Sequence, residues 1–517
     1  MPGSSWPGQQ KEIVTLSFID LAIVGVYLLA CLTAGLWMRR FVRGVEDFAV
    51  AGREMDLNLG IASLAATELG LVTVMYTAQL GYEKGFAGAT VGVLMAGAMY
   101  VVGRTGFVIG PLRRSGVMTI PELFQNRFGT RVRWLAGLFV VLGGVLNMGV
   151  FLRVGGEFLV HVTGLPAYSL ELIMVGLLGL VLLYTVFGGM LSVLVTDYLQ
   201  FLIMGLGIVV TSLLVIGDCG WNSLVQELWV SWDGTRADGT RLAAHPFNPF
   251  HASSLGWGYV LWQALFQVAV VTTWQTQISR VLCAKDEQTA KRMYQRASFY
   301  FVGRFALPVL FGAGAFVYFS HQGGLTGDLN SRTAMPAYLA TLLPAGVLGL
   351  VIAAMLAAEM STDSGYLLTW ATVIYNDLIM PCVKRPLSPR SRLLLTRLLV
   401  CAIGVFLVFY GLLYELKGNV WDYLAVTGNI YLASVFTLLV SALYWPRSNR
   451  HGALAALVLG AIGPLTFLIV NAKADQAHQI APEVAGASSF ALAFLGMIIG
   501  SLAGSSRADQ PVTEVLR

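Results

Sequence analysis

The chain has 517 residues, 56% hydrophobic and only 12% charged, with a mean hydropathy of +0.71. Soluble proteins are about 25% charged, so this deficit excludes a water-soluble core and points to a polytopic membrane protein. The net charge of +5 comes from arginines in loops, not from a nucleic-acid surface.

The opening stretch, "MPGSSWPGQQKEIVT", has no basic region leading into a short apolar run, so residues 1–16 read as an external tail rather than a cleaved signal. Apolar runs of about 20 residues then place spans at 17–38, 56–82, 86–110, 134–162, 167–187, 190–216, 256–281, 298–320, 345–379, 393–415, 420–445, 452–471 and 484–504. Basic residues cluster after the odd-numbered spans: Arg39, Arg40 and Arg43; Arg113, Arg114, Arg127, Arg131 and Arg133; Lys285, Lys291 and Arg292; Lys384, Arg385, Arg390 and Arg392; Arg447 and Arg450. The connection after the fifth span lies on the same side and is too short to carry charge. The opposite connections, 217–255, 321–344 and 471–483, hold few basic residues. The positive-inside rule therefore predicts an external N-terminus, about thirteen helices and a cytoplasmic C-terminus. The five cysteines are scattered without CxxC spacing and read as packing residues.

Some spans are polar inside. The second holds Gly60, Thr67, Glu68, Gly70 and Gln79, and the seventh holds Gln263, Gln267, Gln275 and Gln277. Polar, glycine-broken helices at membrane depth are tolerated where they line protein or a water-filled cavity, and a pair of them in corresponding positions marks a transporter site. Spans two to six and seven to eleven each count five, which predicts an inverted five-plus-five repeat led by the broken helices. The chain then divides into an external tail (1–16), a first helix with its cytoplasmic loop (17–55), one five-helix repeat (56–216), an external loop (217–255), a second repeat (256–446), two additional helices (447–504) and a cytoplasmic tail (505–517).

The ninth span contains "AAEMSTDSG", residues 357–365. At about 100° per residue, Ala358, Ser361, Thr362 and Gly365 share one stripe. Two hydroxyl oxygens beside a small residue suit Na⁺, a hard cation, with carbonyls of an unwound helix as further ligands. Each hydroxyl alone would more simply bond its own helix or a neighbour. Glu359 and Asp363 fall on another face, where a wet vestibule or a basic partner is expected. Asp197 in the sixth span, with Ser361 and Ser364, forms a possible second cation site, which Gly365 weakens by offering no hydroxyl.

Four stretches resemble the sodium/solute symporter family of sodium/glucose, sodium/proline and sodium/sialic-acid type: "AAEMSTDSGYLLTWATVIYNDLI", "YTVFGGMLSVLVTDYLQ", "WQTQISRVLCAKDEQTAKR" and "LYWPRSNRHGALAALVLG". The resemblance covers about residues 17–470. It implies an all-α LeuT-type fold, Na⁺-driven uptake and no enzymatic step. Carried over by position, it implies a main Na⁺ site made of the Ala66, Leu69 and Ala358 carbonyls with the Ser361 and Thr362 hydroxyls. It implies a second site, present only in some members, at Asp197, Ser361, Ser364 and position 365.

Substrate candidates are Thr67, Glu68 and Thr73 in the broken second span, Asn147 and Arg153 in the fourth, Gln267, Trp274 and Gln275 in the seventh, and Asn429 in the eleventh. Glu68 stands where sodium/proline members carry Asp; it serves the solute or bonds backbone N–H groups of the break. Arg153 holds a carboxylate or pairs with Glu157. Trp274 stacks on a ring or packs, and Asn429 contacts solute or ties two helices. Thr276 stands where sugar-transporting members have a gating Tyr. An acid and a base near one pocket favour an amino acid, another zwitterion or a carboxylate over a sugar. A small-molecule substrate, a lipid bilayer as surroundings, no nucleic acid and a monomeric state in the cell membrane, with an oligomer as the alternative, are expected. Proton coupling and a solute sensor on the same fold are the rival readings; no nucleophile or metal set supports an enzyme.

Overall fold

The computed structural model describes residues 16–232, 245–251, 254–325, 327, 329–384, 387–414, 419–471 and 479–504. Nearly all of the expected N-terminal tail, the tail at 505–517, Arg385 and much of the 217–255 connection lie outside these residues.

Among the described residues the architecture is helical throughout, without a strand. Helix α1 (Phe18–Trp37) starts on a capping box: Ser17 accepts from the Asp20 N–H and Asp20 accepts from the Ser17 N–H. After the short α2 (Val45–Val50) come α3 (Leu57–Glu68) and α4 (Leu71–Lys84), one span interrupted at Leu69 and Gly70. Then follow α5 (Thr90–Thr105), α6 (Ile109–Ser115) and α7 (Ile120–Phe128). The fourth predicted span is also interrupted, into α8 (Thr130–Met148) and α9 (Phe151–Thr163).

Helix α10 (Leu170–Cys219) is numbered as 50 residues, about 75 Å if straight. That is far beyond the roughly 30 Å of hydrocarbon in a bilayer. The chain reverses at Gly189, φ 54 and ψ −147, a conformation that needs glycine. The fifth and sixth predicted spans are its two arms. Next come α11 (Trp221–Trp232), then α12 (Trp257–Thr273) and α13 (Gln275–Cys283), broken at Trp274, and α14 (Glu287–His321). Helix α15 (Ala334–Leu342) precedes α16 (Val347–Val373), which widens into a π-turn over Ile374–Ile379. The chain ends in α17 (Pro389–Leu413), α18 (Val420–Tyr444), α19 (Arg450–Gly460), α20 (Ile462–Asn471) and α21 (Pro482–Ala503).

Ten helical stretches among the described residues are long and apolar enough to cross a bilayer. Burial sorts them. The α18 stretch is 94% buried and the α16 stretch 89%, against 22% for α1 and 28% for α17. Helix α16 therefore runs through the centre, packed on α10, α1, α17, α8 and α9. Helix α14 packs on α3, α4 and α5 in a second group, and α18, α19 and α21 pack together, with α18 also against α8. The α3–α4 break meets α16 between these groups, and both groups expose apolar side chains where lipid would lie.

Candidate functional site

Leu69 leaves the helix at φ −92, ψ 53, and its N–H reaches back to the Ala65 and Ala66 carbonyls at 3.0 and 3.2 Å. Gly70 caps α4, its carbonyl accepting from Thr73 and Val74 N–H. Thr362 of α16 stands against this break: its hydroxyl donates to the Thr67 carbonyl at 2.8 Å. A Cβ on Gly70 would lie 2.5 Å from Thr362 Oγ1. Ala358, 2% exposed, lies one turn before Thr362 on α16.

Ser361 turns to the neighbouring cluster and donates to Asp197 Oδ1 at 2.5 Å. Asp197 Oδ2 accepts from Ser63 Oγ at 2.5 Å and Thr67 Oγ1 at 3.3 Å. Ser364 donates to its own helix, at the Ser361 carbonyl. The sequence reading left out the other occupant, Arg280 of α13. Its Nη2 lies 3.4 Å from Asp197 Oδ2 and donates to Thr67 Oγ1 at 2.5 Å, and its Nε donates to Ser63 Oγ at 3.2 Å. Both Arg280 and Asp197 are fully buried. A Cβ at Gly365 would lie 2.7 Å from Arg280 Nη2, so the glycine makes room for the guanidinium.

Beside the break is a cavity. Thr67, Glu68, Thr73, Asn147, Gln267 and Trp274 line it, together with Thr362. Glu68 does not bond the backbone of the break. Its Oε1 accepts from Thr276 at 3.0 Å, and its Oε2 accepts from Gln277 at 3.1 Å and faces Arg304 Nη1 at 3.5 Å. Asn147 ties α8 to α18 through the Leu424 carbonyl at 2.8 Å. Trp274 Nε1 donates to Tyr366 at 2.9 Å. Three candidates lie outside this lining. Arg153 pairs with Glu157 at 3.5 Å and donates to the Gly411 and Tyr414 carbonyls. Gln275 accepts from the Ile120 N–H. Asn429 is buried with both amide atoms unpartnered.

Arg304, Tyr76, Phe151, Tyr366 and Trp421 also stand in the wall. Arg304 had a sequence signal, being the sole charge in the apolar run 298–320. The aromatic residues had none, because isolated aromatics in apolar runs usually pack.

Glu359 and Asp363 differ from expectation. They are 1% and 0% exposed, and none of their four oxygens has a hydrogen-bond partner. Among the described residues no base pairs with either of them. Glu359 lies against α9, where a Cβ on Gly155 would come within 2.8 Å of its Oε1.

Two side-chain networks tie the bundle at its ends. At one, Glu83 accepts from Gln79, Ser331 and Asn419 at 2.9, 2.6 and 3.1 Å. At the other, Arg133 pairs with Asp377 at 2.8 Å and donates to the Asn376 carbonyl, while Asn376 reaches Thr119 and Glu122.

The model of the sodium:solute symporter family matches residues 48–460. The chain belongs to that family. It is 26% identical to a sodium/glucose cotransporter of Vibrio parahaemolyticus, over 88% of this chain and 85% of that one. It is 27% identical to sodium/myo-inositol cotransporter 2 of Mus musculus, over 87% and 70%. In structure it is similar to a Na⁺-coupled sialic acid symporter in a substrate-bound outward-open state, at TM-score 0.79, 20% identity and coverage of 95% and 98%. It is also similar to MhsT in complex with L-phenylalanine, at TM-score 0.53 and 14% identity, covering 87% and 98%. These two likenesses show the LeuT-type fold. Membership makes this symporter a multi-pass membrane transporter with a small-molecule substrate and not an enzyme, and it supports sodium as the coupling ion.

Proposed function

We propose that this chain couples sodium entry to the uptake of a small polar organic solute, an amino acid or other zwitterion or carboxylate rather than a sugar, by alternating access. The observation that carries the ion site is Thr362, whose hydroxyl reaches the α3–α4 break at 2.8 Å. Ser361 precedes it, and the carbonyls of Ala66, Leu69 and Ala358 complete a neutral-oxygen set suited to a hard cation. Sodium there ties the broken helix to α16 and favours the outward-open state. Solute in the cavity then favours closure, so coupling is differential affinity for two states.

The Asp197 cluster is read as already supplied with its cation. Arg280 stands 3.4 Å from the carboxylate, and Gly365 admits it, so one sodium moves per cycle. Ser364, bonded to its own helix, supports the same reading. The solute class rests on Glu68 and Arg304 lining one cavity. Separating α4 from α5, counting α10 as two arms and adding α12–α13 to the apolar stretches gives thirteen crossings, with the Arg133 network inside and the Glu83 network outside. The segments 56–216 and 256–446 are then the two repeats, each led by a broken helix.

The test is uptake into proteoliposomes at fixed pH, in sodium and in choline. Wild-type uptake should need sodium, and Ser361→Ala with Thr362→Ala should lose this sodium-dependent uptake. Unchanged sodium dependence in the double variant sinks this ion site. Uptake in choline driven by a pH gradient would support proton coupling instead.

A further inference from the structure

Arg304 is one of the least satisfied polar groups in the cavity wall. It is 9% exposed, in the middle of α14, with its guanidinium carbon 5.0 and 5.2 Å from the rings of Phe301 and Phe305. Nη1 faces Glu68 Oε2 at 3.5 Å, and Nη2 donates to Thr73 Oγ1 at 3.2 Å. Nε is buried and has no acceptor. A buried, unpaired donor on a charged group is costly, so an acceptor is expected there. Nε and Nη2 share the edge of the guanidinium that takes both oxygens of a carboxylate. Gln267, also in the cavity wall, donates one amide hydrogen to Gln263 at 3.0 Å, and its Oε1 has no donor.

We propose that Arg304 is the substrate anchor, and that the solute is a small monocarboxylic acid whose carboxylate docks on the Nε–Nη2 edge while a hydroxyl or amine donates to Gln267 Oε1. This rests on the symport reading above and narrows its solute class. Glu68 already accepts from three side chains, so it offers little to a substrate ammonium. Asn147 is committed to the Leu424 carbonyl. The remaining wall is largely apolar, with Phe151, Phe266 and Trp421 beside Val72, Val270 and Leu432. A polyol with hydroxyls on every side would leave most of them unpaired there, which selects against it.

The experiment is thermal unfolding and tryptophan-fluorescence titration of the purified full chain with L-lactate, pyruvate, L-alanine, D-glucose and myo-inositol, each in sodium and in choline. At least one of the carboxylates should raise the melting temperature in sodium, and glucose and inositol should not. Arg304→Gln should weaken carboxylate binding on the order of 10- to 100-fold, and Arg304→Lys, which keeps the charge, by less. Stabilisation by glucose or inositol overturns the proposal, as does stabilisation by none of the carboxylates. Wild-type affinity in Arg304→Gln overturns it too. The wild-type comparison decides even if the variants misfold. Sodium alone reports separately on the symport reading: a melting shift that Thr362→Ala removes upholds it, whatever solute binds. Carboxylate binding that ignores sodium would instead remove the coupling and leave Arg304 as anchor.

Discussion

Arg280→Met keeps most of the side-chain volume and deletes the charge facing Asp197. The carboxylate would keep the Ser63 and Ser361 hydroxyls, both at 2.5 Å, but would have no cation. Removing one member of a buried ion pair costs about 3–5 kcal/mol. If sodium enters the emptied place, concentrations about 100-fold above its Kd return about 2.7 kcal/mol. The variant should then be unstable in choline and within roughly 0–2 kcal/mol of wild type in sodium. Melting curves at equal ionic strength measure this, and the sodium dependence of uptake should steepen from a Hill coefficient of about one toward two. Adding Gly365→Ser extends the test. Alone it overpacks Arg280 Nη2 and Thr67 Cγ2, which a Cβ would approach to 2.7 and 2.9 Å, costing about 1–3 kcal/mol. Beside Arg280→Met it should be tolerated, a coupling of about 0.5–3 kcal/mol. A sodium-dependent gain in Arg280→Met no larger than that of wild type, or a wild type that already binds two sodium ions cooperatively, refutes the reasoning.

Asn147→Ala should cost about 1 kcal/mol of stability through the lost tie to Leu424 and leave sodium dependence intact, as melting and uptake together would show. Gly312→Ala should impair folding: its Cβ would press to 2.7 and 2.8 Å on Ala78 C and Tyr82 N, backbone that cannot move aside, so yield of folded protein should fall sharply. Arg133→Gln leaves Asp377 buried without its cation and should favour opening at that end. A shift of about 1–3 kcal/mol appears as a 5- to 150-fold weaker apparent affinity for external solute in transport assays.

Hydropathy made the spans legible, and the polar residues of the second and seventh spans foretold the breaks seen at Leu69–Gly70 and Trp274. The connection between the fifth and sixth spans fell at Gly189 as the sequence placed it, whereas the interruption at Gly149–Val150 inside the fourth span was not separable from other glycines, because only tertiary neighbours, such as the Tyr410 ring against Gly149, single one out. The stripe through Ala358, Ser361 and Thr362 was readable from periodicity, but it put Ser361 and Thr362 in one site. The structure turns one hydroxyl to Asp197 and the other to the break. The wheel also separated Glu359 and Asp363 from that stripe without telling that α9 closes over them. Arg280 and Arg304 stood in plain view as charges in apolar surroundings. What they face is set by packing between helices far apart in the chain, which no local pattern records.

Arg280 has a further consequence, for electrical work. Its pair with Asp197 is neutral and stays with the protein. If, as proposed, one sodium moves with one monocarboxylate, and that solute carries no ammonium, the cycle transfers no net charge. The membrane potential, worth about 2.3 kcal/mol per elementary charge per 100 mV, drops out of the driving force. Accumulation would follow the sodium concentration ratio alone, about tenfold for each 1.4 kcal/mol of that gradient. Such a carrier concentrates its solute as well in a depolarised cell as in a polarised one, and it draws no current.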